Sequence, residues 1–141
     1  MNSETLSRYA PQALAVLRIV AALCFIAHGT QKMFGFPASG GGGMEFQLFS
    51  LFGLAAVLEI VGGLAILVGF FTRPVAFVLA GEMAYAYWFM HVPMMGKGSI
   101  FPISNGGDAA VLFCFVFLYL VFAGPGAWSV DSNRAGRPAA A

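Results

Sequence analysis

The stretch Ala13–Phe34, ALAVLRIVAALCFIAHGTQKMF, decides the fold of this chain. It is apolar along most of its length and carries only two charged residues, Arg18 and Lys32. A helix of about 20 mostly apolar residues is long enough to cross the roughly 30 Å hydrocarbon core of a bilayer. Because the stretch lacks the strict alternation of a barrel strand, it predicts a transmembrane helix.

Further apolar segments extend this pattern over the rest of the chain. Hydrophobic residues make up 60% of the 141 residues and charged residues 9%, whereas about a quarter of a typical soluble domain is charged. The sequence therefore predicts an all-α integral membrane protein, a bundle of four transmembrane helices over residues 13–124. Terminal segments at 1–12 and 125–141 flank this domain. The further segments are 46–71, 74–94 and 108–123, of which the last is the shortest.

The charges near the helix ends predict how the protein sits in the membrane. Four helices place both termini on one side, and that side has more Lys and Arg residues, which is typical of the cytoplasmic face. The residues counted are Arg8, Arg73, Arg134 and Arg137 on the side of the termini, and Lys32 and Lys97 on the other. We expect a multi-pass protein of the inner (plasma) membrane with cytoplasmic termini. The net charge of +1, without a basic cluster, argues against a nucleic-acid partner.

Three charged residues lie deep within the predicted helices, away from the outer mouth, namely Arg18, Glu59 and Glu82. A rise of about 1.5 Å per residue places them roughly 8, 16 and 12 Å from the cytoplasmic ends of their helices, within one slab of the membrane. A charge at that depth costs several kcal/mol unless it is paired or hydrated. We therefore expect the two carboxylates to face the one guanidinium, so that one acid holds or shares a proton.

These three residues are the candidate catalytic residues, because a shared proton in a low dielectric suits proton-coupled chemistry. The alternative interpretation is a buried ion pair that does no chemistry and only fixes the register of the helices. That alternative needs Arg18 and one of the two glutamates.

Polar residues are also expected to gather at the outer mouth of the bundle. His28 and Lys32 lie near the end of the first helix, and His91 lies at a similar level near the end of the third. Asp108 begins the fourth helix, where a negative charge suits the helix dipole even without a ligand. The candidate cofactor-binding residues are His28, Gln31, Lys32, His91, Asn105 and Asp108.

A quinone head group suits such a mouth, because it is a planar ring with two oxygens carried on an apolar tail. We expect His28 and Lys32 to donate hydrogen bonds to the oxygens. An aromatic belt at the membrane interface explains the candidate wall residues equally well. These residues are Phe34, Tyr85, Trp88 and Phe89. Two histidines could be axial haem ligands, but two histidines without a cysteine cluster are a weak ligand set, so haem or metal is not expected.

Four motifs in order resemble the DoxX family over residues 17–131. They are LRIVAALCFIAHGTQKMFG at 17–35, LEIVGGLAILVGFFTRPVA at 58–76, FPISNGGDAAVL at 101–112 and GPGAWSVD at 124–131. The resemblance implies a four-helix integral membrane protein, and relatives include the small-subunit type of thiosulfate:quinone oxidoreductase. The chain departs from the family pattern in a longer glycine-rich loop near 39–43. The matched positions are Arg18, His28, Gly29, Gln31, Lys32, Glu59, Gly62, Gly63, Arg73, Asn105, Gly106 and Gly107.

Three functions remain open from the sequence. The leading hypothesis is a membrane oxidoreductase component that interacts with quinone near the outer face, alongside a partner protein or as a homo-oligomer. The second is a non-catalytic scaffold or assembly factor whose buried charges only fix packing. The third is a small-solute transporter that uses the polar interior as its path.

Overall fold

The computed structural model describes residues 3–38, 47–95 and 99–136. Within these ranges the chain is helical and contains no β-strand, which confirms the predicted all-α class. Three features used in the sequence analysis lie outside these ranges: the glycine run at 39–43, Lys97 and Arg137.

Four apolar helices form the body of the protein, together with short helices near their ends. In chain order the elements are α1 (Ser3–Arg8), α2 (Ala10–Phe34), α3 (Leu51–Val68), α4 (Thr72–Tyr85), a π-helix π1 (Ala86–Met95), α5 (Pro102–Asn105), α6 (Asp108–Ala123) and α7 (Val130–Arg134). The Ser50 hydroxyl accepts a hydrogen bond from Gly53 N–H and caps the start of α3. Gly35 and Gly69 end α2 and α3 with left-handed backbones, at φ 67° and 69°.

Three candidate spans have the length and composition to cross a membrane. They are α2 with 25 residues, α3 with 18 residues, and the continuous helix Thr72–Pro93 with 22 residues, which joins α4 to most of π1. α6 is apolar but has only 16 residues. At about 1.5 Å per residue it measures roughly 24 Å, which is less than the hydrocarbon core. The described residues therefore contain three candidate spans and one shorter apolar helix.

The four helices pack mainly as two pairs, α2 with α3 and α4 with α6. Glycines allow the close approach within and between the pairs. A Cβ at Gly29 of α2 would lie 2.7 Å from the side chain of Ile60 on α3, and one at Gly62 would lie 2.7 Å from Leu79 on α4. Small residues at such positions are the usual means of close packing between helices in membranes. The core lies between the helices and includes Phe25 of α2, Leu79 of α4 and Phe117 of α6, all fully buried.

Arg18 is fully buried at one end of the bundle, which we call the Arg18 end. Among the described residues, its guanidinium donates hydrogen bonds to five backbone carbonyls and to no carboxylate. The acceptors are the carbonyls of Ile66 (2.8 Å), Leu67 (2.6 Å), Pro125 (2.8 Å), Ala127 (3.3 Å) and Trp128 (2.9 Å). The expectation that two glutamates face this guanidinium is therefore wrong. Arg18 instead ties α2 to the end of α3 and to the segment after α6.

A second set of contacts at the Arg18 end fixes the start of α4. The Asp131 carboxylate accepts hydrogen bonds from the backbone N–H groups of Phe71 (2.9 Å) and Thr72 (2.8 Å). These N–H groups have no partner within α4, so the carboxylate of Asp131, which lies on α7, caps the start of α4. Partial burial raises the pKa of Asp131, but these hydrogen bonds and the charge of Arg134 outweigh it and hold the pKa below its usual value.

The Asp131 cap makes stability depend on pH in the acid range. A carboxyl with a lowered pKa in the folded state stabilises the fold fully above its unfolded pKa of about 3.9 and loses this effect as pH falls through the folded pKa. We expect Asp131→Asn to lower the free energy of unfolding by roughly 1 kcal/mol at pH 6, as for other caps. Thermal unfolding of both proteins between pH 3 and pH 6 measures this, and the difference should shrink only below about pH 4.

Candidate functional site

A large cavity lies at the other end of the bundle, which we call the Lys32 end. Its volume is about 1540 Å³, and its lining is mostly apolar, with side chains from α2, α3, α4, π1 and α6. Four of the lining residues are Leu54 and Val61 on α3 and Val78 and Tyr85 on α4, and they are between 46% and 62% exposed. These residues lie on candidate spanning helices, so the cavity opens sideways between α3 and α4, toward the lipid.

Lys32 and Glu59 form an ion pair in this cavity. Lys32 Nζ donates to Glu59 Oε1 at 2.5 Å, and the two side chains are 25% and 2% exposed. The ammonium group also lies 5.5 Å from the centre of the Phe52 ring, a cation–π distance. The partner of Glu59 is thus Lys32 and not Arg18, because the long Lys32 side chain extends from near the end of α2 toward the deeper carboxylate.

Glu82 lines the cavity without a hydrogen-bond partner among the described residues. Both of its carboxyl oxygens are buried, and neither has a hydrogen-bond partner among the described residues. The same holds for Oε2 of Glu59. An unpaired carboxylate in a low dielectric costs several kcal/mol, so Glu82 either carries a proton or meets a donor on a bound molecule or water.

The two histidines also line the cavity, and each is held through Nδ1. The Nδ1 atom of His28 lies 3.1 Å from the carbonyl oxygen of Cys24, and that of His91 lies 3.2 Å from the carbonyl oxygen of Asn105. Since a carbonyl oxygen can only accept, Nδ1 must carry the proton in both rings. In the neutral ring Nε2 is then an acceptor, and the expectation that His28 donates to a quinone oxygen is not met by this tautomer.

The π-helix explains why His91 reaches the cavity. On an ideal α-helix His91 points nearly opposite Glu82, yet both line the same space. The wider turns of π1, which begins at Ala86 and contains Pro93, change the direction of the side chains. π-helical turns are frequent at functional sites. Pro93 was the one sequence signal for such a distortion.

Of the three remaining predicted residues, only Gln31 lines the cavity. Gln31 lines the cavity, but its amide nitrogen donates to the Pro37 carbonyl at 3.0 Å. The Asn105 side chain is buried and bonds Ser99 O and Gly107 N, so it shapes the loop before α6. Asp108 is exposed at the start of α6 and does not line the cavity.

Of the predicted aromatic walls, only Tyr85 lines the cavity. Phe34, Trp88 and Phe89 are exposed and do not line it, although Phe89 stacks on Tyr85 with ring centres 4.7 Å apart. The aromatic walls that the sequence analysis missed are Phe52 and Phe113. Phe113 contacts the edge of the His28 ring, with centres 5.5 Å apart. Among the described residues no group of three or more His, Cys, Asp or Glu side chains could hold a metal ion.

Comparisons with known proteins agree with the motifs in the sequence. The sequence profile of the DoxX family matches residues 13–92, which cover most of α2 and all of α3 and α4. A protein of Haemophilus influenzae, described as uncharacterised, is 49% identical over 92% of this chain and 96% of its own length. The inner membrane proteins YphA and YqjF of Escherichia coli are each 33% identical; they cover 86% and 82% of this chain, and 89% and 87% of their own lengths. No solved structure matches.

Proposed function

The chain belongs to the DoxX family of membrane proteins, and from this premise and the geometry of the cavity we propose that it binds a membrane quinone as a component of an oxidoreductase. The quinone ring would enter sideways between α3 and α4 and lie among His28, Lys32, Glu59 and Glu82. Its apolar tail would remain in the lipid or in the apolar part of the cavity.

The observation that supports this proposal is a buried carboxyl without a partner in a cavity open to lipid. Neither oxygen of Glu82 has a partner in the part of the chain that the structure describes, and the surrounding lining is mostly apolar. Ligand sites of membrane-soluble molecules combine such an apolar wall with a few polar groups that orient the head. A residue that only fixed helix packing would be expected to meet a partner, as Arg18 does at the other end of the bundle.

The residues of the chain have distinct roles in this proposal. Lys32 still has N–H groups available after it binds Glu59, and it would donate to a ring oxygen. Glu59 and Glu82 would take up or release protons beside the ring. A partner protein or a bound cofactor would supply the electrons, because redox chemistry of this kind is carried by cofactors.

Filling the cavity tests this proposal directly. Ala55 lines the cavity on α3, and we expect Ala55→Trp to abolish quinone binding. Leu64→Trp, on the exposed side of the same helix, is the matched control. Both variants and the wild type are purified with native lipid, and the quinone in the extract is measured. A quinone with a short tail should then stabilise the wild type and Leu64→Trp, by about 2.7 kcal/mol at 100 times its Kd.

The outcomes separate the functions that were open from the sequence. Equal quinone content in all three proteins would contradict the cavity as the site. An absence of bound quinone and of stabilisation in the wild type would favour a scaffold. Stabilisation by small polar solutes in place of quinone would favour a transporter.

A further inference from the structure

Hydrogen-bond acceptors dominate the polar groups that face the cavity. Among the described residues, Oε2 of Glu59 and both oxygens of Glu82 are buried acceptors without a partner, and Nε2 of His28 and of His91 is a further acceptor when the ring is neutral. Each of these atoms can satisfy its hydrogen-bonding capacity only with a donor from a bound molecule or water. The acceptors therefore determine which ligand chemistry the cavity favours.

The donors in the cavity are fewer, and most are already used. The Lys32 ammonium group donates to Glu59, and the Gln31 amide donates to the carbonyl of Pro37. Both histidine Nδ1 protons are directed to backbone carbonyls. What remains for a ligand is chiefly the other N–H groups of Lys32 and one amide hydrogen of Gln31.

An oxidised quinone and a reduced quinol differ in their ability to donate hydrogen bonds, which is what unpaired acceptors require. The quinone ring carries two carbonyl oxygens, which only accept hydrogen bonds. The quinol ring has the same skeleton but carries two hydroxyl groups, each of which donates one hydrogen bond and can also accept. A site rich in unpaired acceptors is left unsatisfied by the quinone and is satisfied by the quinol.

We infer that the cavity is selective for the reduced, hydroxyl-bearing form of its ligand, and this inference rests on the proposed quinone function. The acceptors lie on two walls, with His28 and Glu59 on the α2–α3 pair and Glu82 and His91 on α4 and π1. The two hydroxyl groups of a quinol stand on opposite sides of its ring. One hydroxyl meets each wall, and Lys32 donates to the hydroxyl oxygen near Glu59.

The selectivity does not depend on Glu82 being ionised. A protonated Glu82 gains one donor, but its second oxygen remains an acceptor. The Nε2 atoms of both histidines and the free oxygen of Glu59 also remain acceptors. The quinol therefore meets more of the acceptors that line the cavity than the quinone does in either state of Glu82.

Three ligands with one carbon skeleton test the inference: a decyl-substituted benzoquinone, its quinol, and the dimethyl ether of that quinol. The ether keeps the reduced ring but has no donor. Purified protein in lipid nanodiscs under argon is titrated with each ligand, and the thermal unfolding midpoint gives the affinity. We expect the quinol to bind about tenfold more tightly than the quinone, and the ether to bind no better than the quinone.

The Glu82→Gln variant has nearly the same shape but replaces one acceptor by an amide donor, so it should reduce the preference for quinol to about threefold or less. Asp108→Asn, at a carboxylate outside the cavity, should leave the preference unchanged. Equal affinity for quinol and quinone, or for quinol and ether, overturns the inference while the proposed function stands. If none of the three ligands binds, the proposed function fails as well.

Discussion

Replacing Arg18 by methionine is expected to destabilise the protein by at least about 3 kcal/mol, the largest loss that we predict for a single substitution. Methionine keeps much of the apolar volume of the side chain but removes every donor. Five backbone carbonyls from α3 and from residues 125–128 then lose a hydrogen-bond donor. The free energy of unfolding in mixed micelles, measured by denaturant titration, gives the loss.

The matched control for this prediction is Arg8→Met. Arg8 is exposed on α1, so we expect its replacement to change stability by no more than about 0.5 kcal/mol. The loss of stability in Arg18→Lys should fall between those of the two methionine variants. A lysine has three donors but no planar fork to reach carbonyls on both sides. A stability of Arg18→Met close to that of wild type would show that these hydrogen bonds do not hold the Arg18 end together.

The second large effect is expected at the ion pair between Lys32 and Glu59. Lys32→Met leaves Glu59, which is 1% exposed, without its partner. Removing one member of a buried pair typically costs about 3–5 kcal/mol, because the remaining charge is uncompensated. We expect Lys32→Met to lose about 3 kcal/mol, measured by the same denaturant titration.

A double-mutant cycle distinguishes the pair from simple loss of packing. Glu59→Gln removes the buried charge, so Lys32→Met combined with Glu59→Gln should regain most of the loss. If the losses of the two single variants simply add, the ion pair contributes nothing specific to the fold. In that case the Lys32 end would be held by apolar packing alone.

The sequence predicted the helices well but the partners of the charges poorly. Segment length and composition indicate a helix almost independently of its neighbours, and α2, α3 and α4 lie close to the predicted segments. The depths of Arg18 and Glu59 were placed in one slab from the helical rise alone. The partners of Arg18 include carbonyls in the segment after α6. That segment is not helical, so helical periodicity could not place it beside Arg18.

The candidate site shows the same limit of sequence reasoning. Glu59 and Glu82 were identified by the cost of placing charges in lipid, and Lys32 and His91 by their level near one mouth of the bundle; all four line the cavity. The cavity itself lies among α2, α3, α4, π1 and α6, and the direction of His91 results from π1. Both depend on how the helices pack, which the spacing of residues along one helix does not determine.

A structure determined by crystallisation in a lipid mesophase, with quinol supplied in the lipid, tests the central claim most directly. The account predicts density for an aromatic ring between the Lys32–Glu59 pair and Glu82, entering through the gap between α3 and α4. Density for lipid tails alone, or closure of α3 onto α4 over the two glutamates, would contradict it.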